Sequence, residues 1–385
     1  MNYDIIISGG GLLGFIAAIG LSNNSVSVAV IEKSNLQHVI NDNRVFAISQ
    51  GSRKILEKLG IWQIIESEAE PILDIFILDE NSPVTVHYDH KIVSEEPMGY
   101  VISNTAIWDA INNNFLKKLN IYSPLSYKTI ICDAGYVEVI LDNDQKLISS
   151  LLICAEGKNS KLPELFSIPV MKFDYKQNSI VFNVKHELNH QNLAVERFFP
   201  GGPFAILPMK GGHTSSIVWT EKSEVSKMLM NLAEEEFIIE LKKRFGSYLG
   251  EIRLEGRRKS YSLSFAFAKR LYKSRVLLIG DVAHLIHPVA GQGLNLGIRD
   301  IESIIKQITA VKAYGIDIGS SYLLKKISCD RYCDNFTMAL ATDWLNRIFS
   351  NRVFCTKTLR NLGLMVVENS NFLKKRFIHY AMGFR

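Results

Sequence analysis

The sequence predicts an α/β protein with three parts: a Rossmann-like nucleotide-binding domain, an antiparallel β-sheet domain interleaved with it, and C-terminal helices. Three observations support this prediction. A glycine-rich turn at the start of the chain joins an apolar strand to an apolar helix. A second glycine-rich segment, also running from strand to helix, surrounds Asp281. Runs of alternating or β-branched residues lie between these two segments.

The composition is that of an ordinary globular protein of 385 residues, in which 47% are hydrophobic and 22% are charged. The length predicts one large domain or two interleaved ones. The formal net charge of +5 comes from basic residues spread along the chain, which argues against nucleic acid as a partner.

The first βαβ unit occupies the N-terminus. Residues 4–8 predict a strand, residues 12–21 a buried helix and residues 26–31 a second strand, parallel to the first. The absence of charge from residue 5 to residue 31 resembles a membrane span, but polar residues 22–25 interrupt the apolar run. Asp4 also replaces the basic start of a signal peptide. We therefore predict a buried unit of the nucleotide domain.

The turn of this unit has the pattern G-x-G-x-x-G, formed by Gly9, Gly11 and Gly14. Gly9 permits a tight turn, Gly11 lets the backbone approach a pyrophosphate, and Gly14 lets helix and strand pack closely. The helix N-terminus favours the anion. Glu32 closes the second strand 18 residues after Gly14, near the spacing at which a carboxylate binds an adenosine ribose. This motif predicts a dinucleotide and leaves NAD and FAD both open.

The second glycine-rich segment begins with a predicted buried strand at residues 275–279, followed by Gly280 and Asp281. A predicted helix around residues 294–305 follows the glycine-rich turn at residues 288–295. A carboxylate at the end of a strand can accept hydrogen bonds from ribityl hydroxyls, and glycines admit a flat ring against the backbone. The segment therefore favours a flavin over NAD.

A hydrolytic site built from Asp281, His284 and His287 is the alternative for this segment. Neither the nucleophile pattern G-x-S-x-G nor the metal pattern H-E-x-x-H occurs in the chain. We expect the two histidines to pack or to orient the loop. No metal site is predicted.

The whole segment resembles the second FAD fingerprint of the class A flavoprotein monooxygenases, of the para-hydroxybenzoate hydroxylase type. The resemblance implies that Asp281 binds the ribityl chain. It also implies that the turn lies against the isoalloxazine ring. The residues that it assigns to FAD here are Gly280, Asp281, Pro288, Gly291, Gln292, Gly293 and Asn295.

Residues 287–300 are closer still to the ubiquinone-biosynthesis hydroxylases of UbiH/UbiF type. Further matches to that family are D-x-R-x-x-A-I-S at residues 42–49, G-P-x-A-I-L-P at residues 202–208 and a helical pattern at residues 330–349. The resemblance places Arg44 near the flavin and the approach of NAD(P)H. The chain departs from the family at Glu156, where A-D-G is usual, and this change weakens the expected reductant preference most.

The resemblance implies an FAD-dependent monooxygenase that uses NAD(P)H and O2, through a flavin C4a-hydroperoxide, to hydroxylate a polyprenylated phenol on the way to ubiquinone. It also implies a multi-enzyme complex of quinone biosynthesis as a partner. No catalytic acid or base is assigned. Alternatives are a flavoprotein reductase of isoprenoid double bonds, a non-catalytic flavin-binding subunit and a flavin-dependent halogenase. The chain lacks the W-x-W-x-I-P pattern of the halogenases.

The domains are expected to be discontinuous along the chain. The FAD-binding domain comprises residues 1–71, 96–170 and 256–310, the substrate domain residues 72–95 and 171–255, and the helical region residues 311–385. The C-terminal residues 371–383 mix aromatic and basic side chains. They predict either an interfacial helix at a membrane or a helix docked on the body.

A bacterial cytoplasmic location, peripheral at the inner membrane, follows from the lack of a transit peptide and from the membrane-dissolved substrate. The chain has an odd number of cysteines at irregular spacing, and none of them form a CxxC pair. We expect them to be buried thiols in a reducing compartment, and they are Cys132, Cys154, Cys329, Cys333 and Cys355.

Overall fold

The computed structural model describes residues 2–36, 44–80, 82, 84–350 and 363–384. Its strands are, in chain order, β1 (Asn2–Ser8), β2 (Val28–Ile31), β3 (Val45–Ser49), β4 (Glu70–Ile72), β5 (Asp74–Asp79), β6 (Thr85–Asp89), β7 (Gly99–Ser103), β8 (Asn120–Tyr122), β9 (Tyr127–Cys132), β10 (Val137–Leu141), β11 (Lys146–Cys154), β12 (Val170–His186), β13 (Leu193–Phe199), β14 (Gly202–Met209), β15 (Thr214–Lys222), β16 (Ile252–Ala268), β17 (Tyr272–Lys273), β18 (Val276–Leu278) and β19 (His284–Leu285). Its α-helices are α1 (Leu12–Ser22), α2 (Gln50–Lys58), α3 (Trp62–Ile65), α4 (Asn104–Asn114), α5 (Leu162–Leu165), α6 (Ser223–Asn231), α7 (Glu234–Phe245), α8 (Gln292–Lys312), α9 (Ser321–Phe349) and α10 (Asn371–Ala381).

The first sheet is the nucleotide-binding sheet. Its strand order is β17-β18-β11-β1-β2-β8, with β9 and β10 attached as a hairpin to β11. β1 pairs in parallel with both β2 and β11, which confirms the predicted βαβ unit. The apolar run that resembles a membrane span is buried because β1 is a central strand and α1 packs against α8.

The second sheet, which we call the substrate sheet, has the order β19-β16-β12-β15-β14-β13-β5-β6. Its pairings are antiparallel, as predicted, except between β5 and β13, which run in parallel. This exception arises because β5 belongs to an earlier segment of chain and is not joined to β13 by a hairpin. Helix α7 covers one face of the sheet, with Phe237, Leu241 and Phe245 in the core.

A small sheet of β3, β7 and β4 joins the other two parts, and its pairings are antiparallel. The predicted domain ranges remain a prediction. Strand β16 runs across the boundary that they draw at residue 256, and α8 runs across the boundary at residue 310.

The C-terminal part is helical as predicted, with α9 packed against α8. The expectation of buried cysteines is correct for Cys154, whereas Cys132 is only half-buried. It is wrong for Cys329 and Cys333, because both lie on the solvent side of α9. Cys355 lies outside the described residues. No described helix combines the length and the hydrophobicity that a transmembrane segment needs.

Candidate cofactor site

The C-terminal ends of four neighbouring strands meet at one edge of the nucleotide-binding sheet. In the order β18, β11, β1 and β2, these strands lead into Asp281, Glu156, Gly9 and Glu32. The backbone N–H of Ala155 donates to Ser8 C=O at 2.7 Å, so the ends of β11 and β1 stay together. Ligands of parallel α/β sheets bind at this edge. The fold therefore brings motifs from distant parts of the chain into one site.

The glycine turn is too crowded for side chains at two of its predicted positions. A Cβ atom on Gly9, which has a φ of +108°, would lie 2.6 Å from the carbonyl carbon of Ala155. A Cβ atom on Gly14 would lie 1.9 Å from the Gly9 carbonyl oxygen. Gly11 caps the N-terminus of α1, and a Cβ atom there would meet no atom within 4 Å. The space beside Gly11 suits a pyrophosphate at the helix N-terminus.

Glu32 lies directly after β2, where its carboxylate is fixed by backbone donors. The N–H of Gly10 donates to Oε2 and the N–H of Ser34 donates to Oε1, both at 2.7 Å. A carboxylate oxygen can accept more than one hydrogen bond, so each oxygen retains capacity for a ribose hydroxyl. The role of Glu32 in ribose binding remains a prediction that this placement supports.

Glu156, the departure from the family pattern, is held by two serines. The Ser160 hydroxyl donates to Oε2 at 2.6 Å, and the Ser8 hydroxyl at the end of β1 donates to Oε1. The carboxylate of the longer glutamate side chain thus links the end of β1 to the turn that follows β11. Glu156 orders the site edge, and the chain keeps a negative charge at this position.

Asp281 lies in the turn after β18, half-buried, and has no hydrogen-bond partner among the described residues. Burial raises the pKa of its carboxyl, and the charges of His284, Arg44 and Lys158 oppose this effect. A partly buried carboxylate without donors is costly unless a ligand supplies them. Asp281 therefore fits the predicted ribityl hydroxyls.

The turn after Pro288, which we call the flavin loop (residues 288–295), is tied to β3 by Asn295. The Asn295 side chain donates to Ala47 C=O at 2.8 Å and to Gly291 C=O at 3.0 Å, and it accepts from Ser49 N–H at 2.9 Å. Gly291 adopts the left-handed conformation, with a φ of +62°, and caps the N-terminus of α8.

The flavin loop also leaves backbone open to a ligand. A Cβ atom on Gly293 would meet no atom within 4 Å. Gln292 is buried at the start of α8. Gly280 has a φ of +66°, and a Cβ atom there would collide with the Leu13 side chain, which keeps the strand end against α1. A glycine-lined helix N-terminus of this kind fits a flat ring that carries negative charge on its edge.

A buried charge network, which was not predicted from the sequence, fixes the helix α8 that follows this loop. Asp300 on α8 accepts from Arg331 Nε at 2.7 Å and from Asn335 Nδ2 at 3.1 Å, and it binds His284. Burial opposes ionisation of Asp300, but His284 and Arg331 outweigh it and hold the pKa of that carboxyl well below its usual range. The sequence signal that could have revealed this network is the presence of charged residues, such as Asp300 and Arg331, at positions of the helices that are otherwise apolar.

His284 and His287 have different environments. The ring Nε2 of His284 is hydrogen-bonded to the Asp300 carboxylate, which agrees with a structural role for this histidine. His287 is fully buried, neither of its ring nitrogens has a partner among the described residues, and its ring lies edge-on to Tyr175 at 4.9 Å. Burial lowers the pKa of His287 to about 3, so the ring is neutral at physiological pH. Neither histidine belongs to a hydrolytic centre.

Arg44 directly precedes β3. Its guanidinium lies 5.6 Å from the ring centroid of Tyr261 and 5.8 Å from that of Phe46. It lines a shallow pocket together with Asn183, Arg257 and Lys259. The proximity of Arg44 to Asp281 fits the predicted approach of NAD(P)H, which remains a prediction. Asp42 and Asn43, which precede it in the family motif, lie outside the described residues.

These features define a class of protein: a flavoprotein with a nucleotide-binding sheet, whose strand ends carry the predicted FAD motifs, and a second sheet that packs against the flavin loop. The chain matches the family model described as "FAD binding domain" over residues 2–314. It therefore belongs to this family and binds FAD, with NAD(P)H as the reductant typical of its members.

Two relatives indicate which flavoproteins the chain is similar to, and one solved structure shows the same fold. The chain is 37% identical over 385 residues to ubiquinone hydroxylase UbiL of Rhodospirillum rubrum, covering 99% of this chain and 89% of the relative. It is 29% identical to 3-demethoxyubiquinol 3-hydroxylase of Escherichia coli, covering 99% and 98%. The crystal structure of p-nitrophenol 4-monooxygenase PnpA from Pseudomonas putida superimposes with a TM-score of 0.81 at 18% identity, covering 100% and 99%.

The resemblance to the ubiquinone-biosynthesis hydroxylases is thereby confirmed, and so is the predicted fold class. The protein is an FAD-dependent monooxygenase. The individual FAD contacts remain predictions that the strand-end geometry supports.

Proposed function

We propose that the protein hydroxylates the aromatic ring of a polyprenylated phenol in ubiquinone biosynthesis, with NAD(P)H and O2 as co-substrates. The observation that carries this proposal is the position of the flavin loop against the substrate sheet. Val289 of the loop packs with Val86 and Phe198 on one face of that sheet. A flavin held by the loop would therefore meet an apolar surface suited to a prenylated ring. The relatives from Rhodospirillum rubrum and Escherichia coli, a ubiquinone hydroxylase and a 3-demethoxyubiquinol 3-hydroxylase, favour the same substrate class.

The residues of this chain have defined tasks in such a reaction. When bound, the reduced flavin supplies the electrons that activate O2. Asp281 positions the ribityl chain, and the open N-terminus of α8 stabilises negative charge at the edge of the ring. The apolar cluster of Val86, Phe198 and Val289 excludes water from the reacting atoms.

The test is to incubate the purified holoprotein with a 2-prenylphenol, NADH or NADPH, and air. We expect substrate-dependent oxidation of the nicotinamide and a product that has gained one oxygen atom on its ring, measured by mass spectrometry. A product that has gained two hydrogens on its prenyl chain would support the reductase alternative. Intact FAD binding without any product would support the non-catalytic subunit of a biosynthetic complex.

We also propose that the C-terminal helices contact the membrane that holds the substrate. Helix α10 buries Ile378 and Lys374, so one of its sides is docked on the body. Its other side exposes Phe372 and Phe377 beside the basic Lys375 and Arg376. The buried side agrees with the prediction of a helix docked on the body, and the exposed side supports the proposal of membrane contact.

Helix α9 adds an exposed apolar row at a spacing of four residues, formed by Phe336, Leu340, Trp344 and Ile348. Rows of this kind, combined with basic residues, suit the surface of anionic lipid bilayers. The alternative to lipid is a protein partner in a multi-enzyme complex, which would cover the same apolar face. We favour lipid because Lys375 and Arg376 lie beside the exposed aromatic side chains of α10.

Trp344 provides the test of lipid contact. It is 64% exposed, whereas the other three tryptophans, Trp62, Trp108 and Trp219, are at most 2% exposed. We expect vesicles of phosphatidylglycerol to shift its fluorescence to shorter wavelength and vesicles of phosphatidylcholine to shift it less. A Trp344→Phe variant should lose the shift. Equal spectra with and without anionic vesicles would contradict the proposal.

A further inference from the structure

Glu196 is a carboxyl group in the middle of the substrate sheet, on strand β13. Its neighbour Val195 pairs with Ile206 and belongs to the core beneath helix α7. Because successive side chains of a strand point to opposite faces, Glu196 points to the face away from α7. Ala194 and Phe198 flank it on that same face.

That face is the one that meets the flavin loop. Phe198 packs with Val86 and with Val289 of the loop. Ala194 belongs to a second apolar cluster, which includes Ala47 of β3, and Asn295 donates to the Ala47 carbonyl. Glu196 thus lies between the two clusters that join the substrate sheet to the flavin loop.

The carboxyl of Glu196 has no hydrogen bond or ion pair among the described residues. It remains partly accessible to solvent, yet the surrounding protein raises its pKa to about 7, with burial as the cause. A carboxylate in such a place is costly unless a ligand donates to it. A ligand that suits this position is apolar, to match the two clusters, and carries a hydroxyl group that donates to the carboxylate.

We propose that Glu196 is the general base that accepts the proton of the substrate's phenolic hydroxyl. The O–H bond breaks, the proton moves to the carboxylate, and the electron pair stays on the phenol oxygen. This pair raises the electron density at the ortho and para ring carbons, one of which forms a C–O bond to one atom of O2 while the O–O bond breaks. The second oxygen atom leaves as water, and the two electrons come from flavin that NAD(P)H has reduced. The proton of the attacked carbon is lost as the ring becomes aromatic again, and Glu196 then releases its proton to solvent.

The inference rests on the proposed function, because it requires a phenol as substrate. A base with a pKa near the working pH combines a useful ionised fraction with an adequate drive for proton transfer. Among the described residues, no other charged group acts on the Glu196 carboxyl, so its ionisation is set by its own surroundings. The base was not apparent from sequence because a single glutamate in a β-strand carries no motif.

The kinetic test compares Glu196→Gln with the wild type and with Glu138→Gln, a control on strand β10 whose carboxylate pairs with Lys146 at 3.2 Å. In the wild type, kcat/KM for a 2-prenylphenol should fall below about pH 7, as Glu196 becomes protonated. Glu196→Gln should lower kcat/KM about 10²–10⁴-fold and remove this limb of the pH profile, while FAD content stays unchanged. A ring-fluorinated 2-prenylphenol, whose hydroxyl is more acidic, should reduce the deficit of the variant. A purely structural role would not produce that dependence on substrate acidity.

A binding test separates this inference from the proposed function. Binding of 2-prenylphenol and of its methyl ether to the oxidised holoprotein is followed by the change in flavin absorbance, without turnover. We expect the wild type to prefer the phenol above pH 7, and Glu196→Gln to bind both ligands equally. Loss of the preference together with wild-type hydroxylation by Glu196→Gln would overturn the role as base. Equal binding of both ligands by the wild type would overturn it as well. If the wild type preferred the phenol but formed no hydroxylated product, the proposed function would be contradicted instead.

Discussion

At the residue scale, Gly11 and Gly14 belong to one motif but differ in what a methyl group would meet. At Gly14 it would overlap the Gly9 carbonyl at 1.9 Å, whereas at Gly11 it would meet open space. We expect Gly14→Ala to destabilise the protein by about 1–3 kcal/mol or more. Gly11→Ala should fold with nearly wild-type stability but bind FAD more weakly, since its methyl group would occupy the space of the pyrophosphate. Thermal unfolding of the apoprotein and titration with FAD measure the two effects, and equal losses of stability would contradict this account.

The second residue-scale prediction concerns Glu196 in the absence of substrate. Its folded-state pKa of about 7 is raised above the ordinary value for glutamate. The folded state therefore holds the proton more tightly than the unfolded state, and stability falls as the pH rises from about 4 to about 7. Glu196→Gln removes this loss and should be more stable than the wild type by up to about 3 kcal/mol at pH 8. At pH 4 the two should be equally stable.

Urea unfolding at both pH values measures this difference, with Glu138→Gln as the control for loss of a carboxylate. A stability difference between wild type and Glu196→Gln that is the same at pH 4 and pH 8 would show that the carboxyl has an ordinary pKa.

At the scale of elements, Asn295 joins the N-terminus of α8 to β3 through two hydrogen bonds. Asn295→Ala leaves the Ser49 N–H and the Ala47 carbonyl without this partner. We expect it to cost about 2–4 kcal/mol, because unpaired buried backbone groups lose about 1–3 kcal/mol each. The variant should also release FAD more readily, since the flavin loop is no longer fixed. Differential scanning calorimetry with and without FAD tests this expectation. If FAD stabilised Asn295→Ala as much as it stabilises the wild type, the expectation would be contradicted.

The buried Asp300 joins α8 to α9 through Arg331. We expect Asp300→Asn to cost up to about 3–5 kcal/mol at pH 7, since it removes one of the two carboxylates, Asp300 and Asp334, that pair with the buried Arg331 guanidinium. The folded-state pKa of Asp300 is depressed, so its contribution is present above pH 4 and is lost as the pH falls below that value. The matched control is Glu302→Gln on the same helix, where the pair with Lys58 is exposed and is worth at most about 1 kcal/mol. Similar losses in the two variants at pH 7 would argue against a buried network.

The sequence predicts elements well where their signals are local. The glycine turns at Gly9 and Gly291 fix a strand end and a helix start within a few residues, so β1, α1 and α8 are found close to where they are predicted. The parallel pair of β5 and β13 was not predicted, because strand pairing depends on contacts between distant segments. The same limit applies to Asp300 and Arg331, whose partnership spans two helices.

At the scale of the whole molecule, two sheets meet at the flavin loop. The nucleotide-binding sheet contributes four strand ends to the predicted FAD site, and the substrate sheet contributes the face that contains Glu196. The family motifs predict the first half of this site residue by residue. The second half depends on which face of β13 meets the loop, and alternation along a strand gives two faces without saying which one is inside.

The central claim is that this molecule transfers one oxygen atom from O2 to the ring of a prenylated phenol. The direct measurement is a reaction of the holoprotein with 2-prenylphenol, NAD(P)H and isotopically labelled dioxygen in ordinary water, followed by mass spectrometry of the product and its fragments. We predict one labelled oxygen atom on the aromatic ring. A product whose new oxygen is unlabelled, or whose label lies on the prenyl chain, would contradict the account.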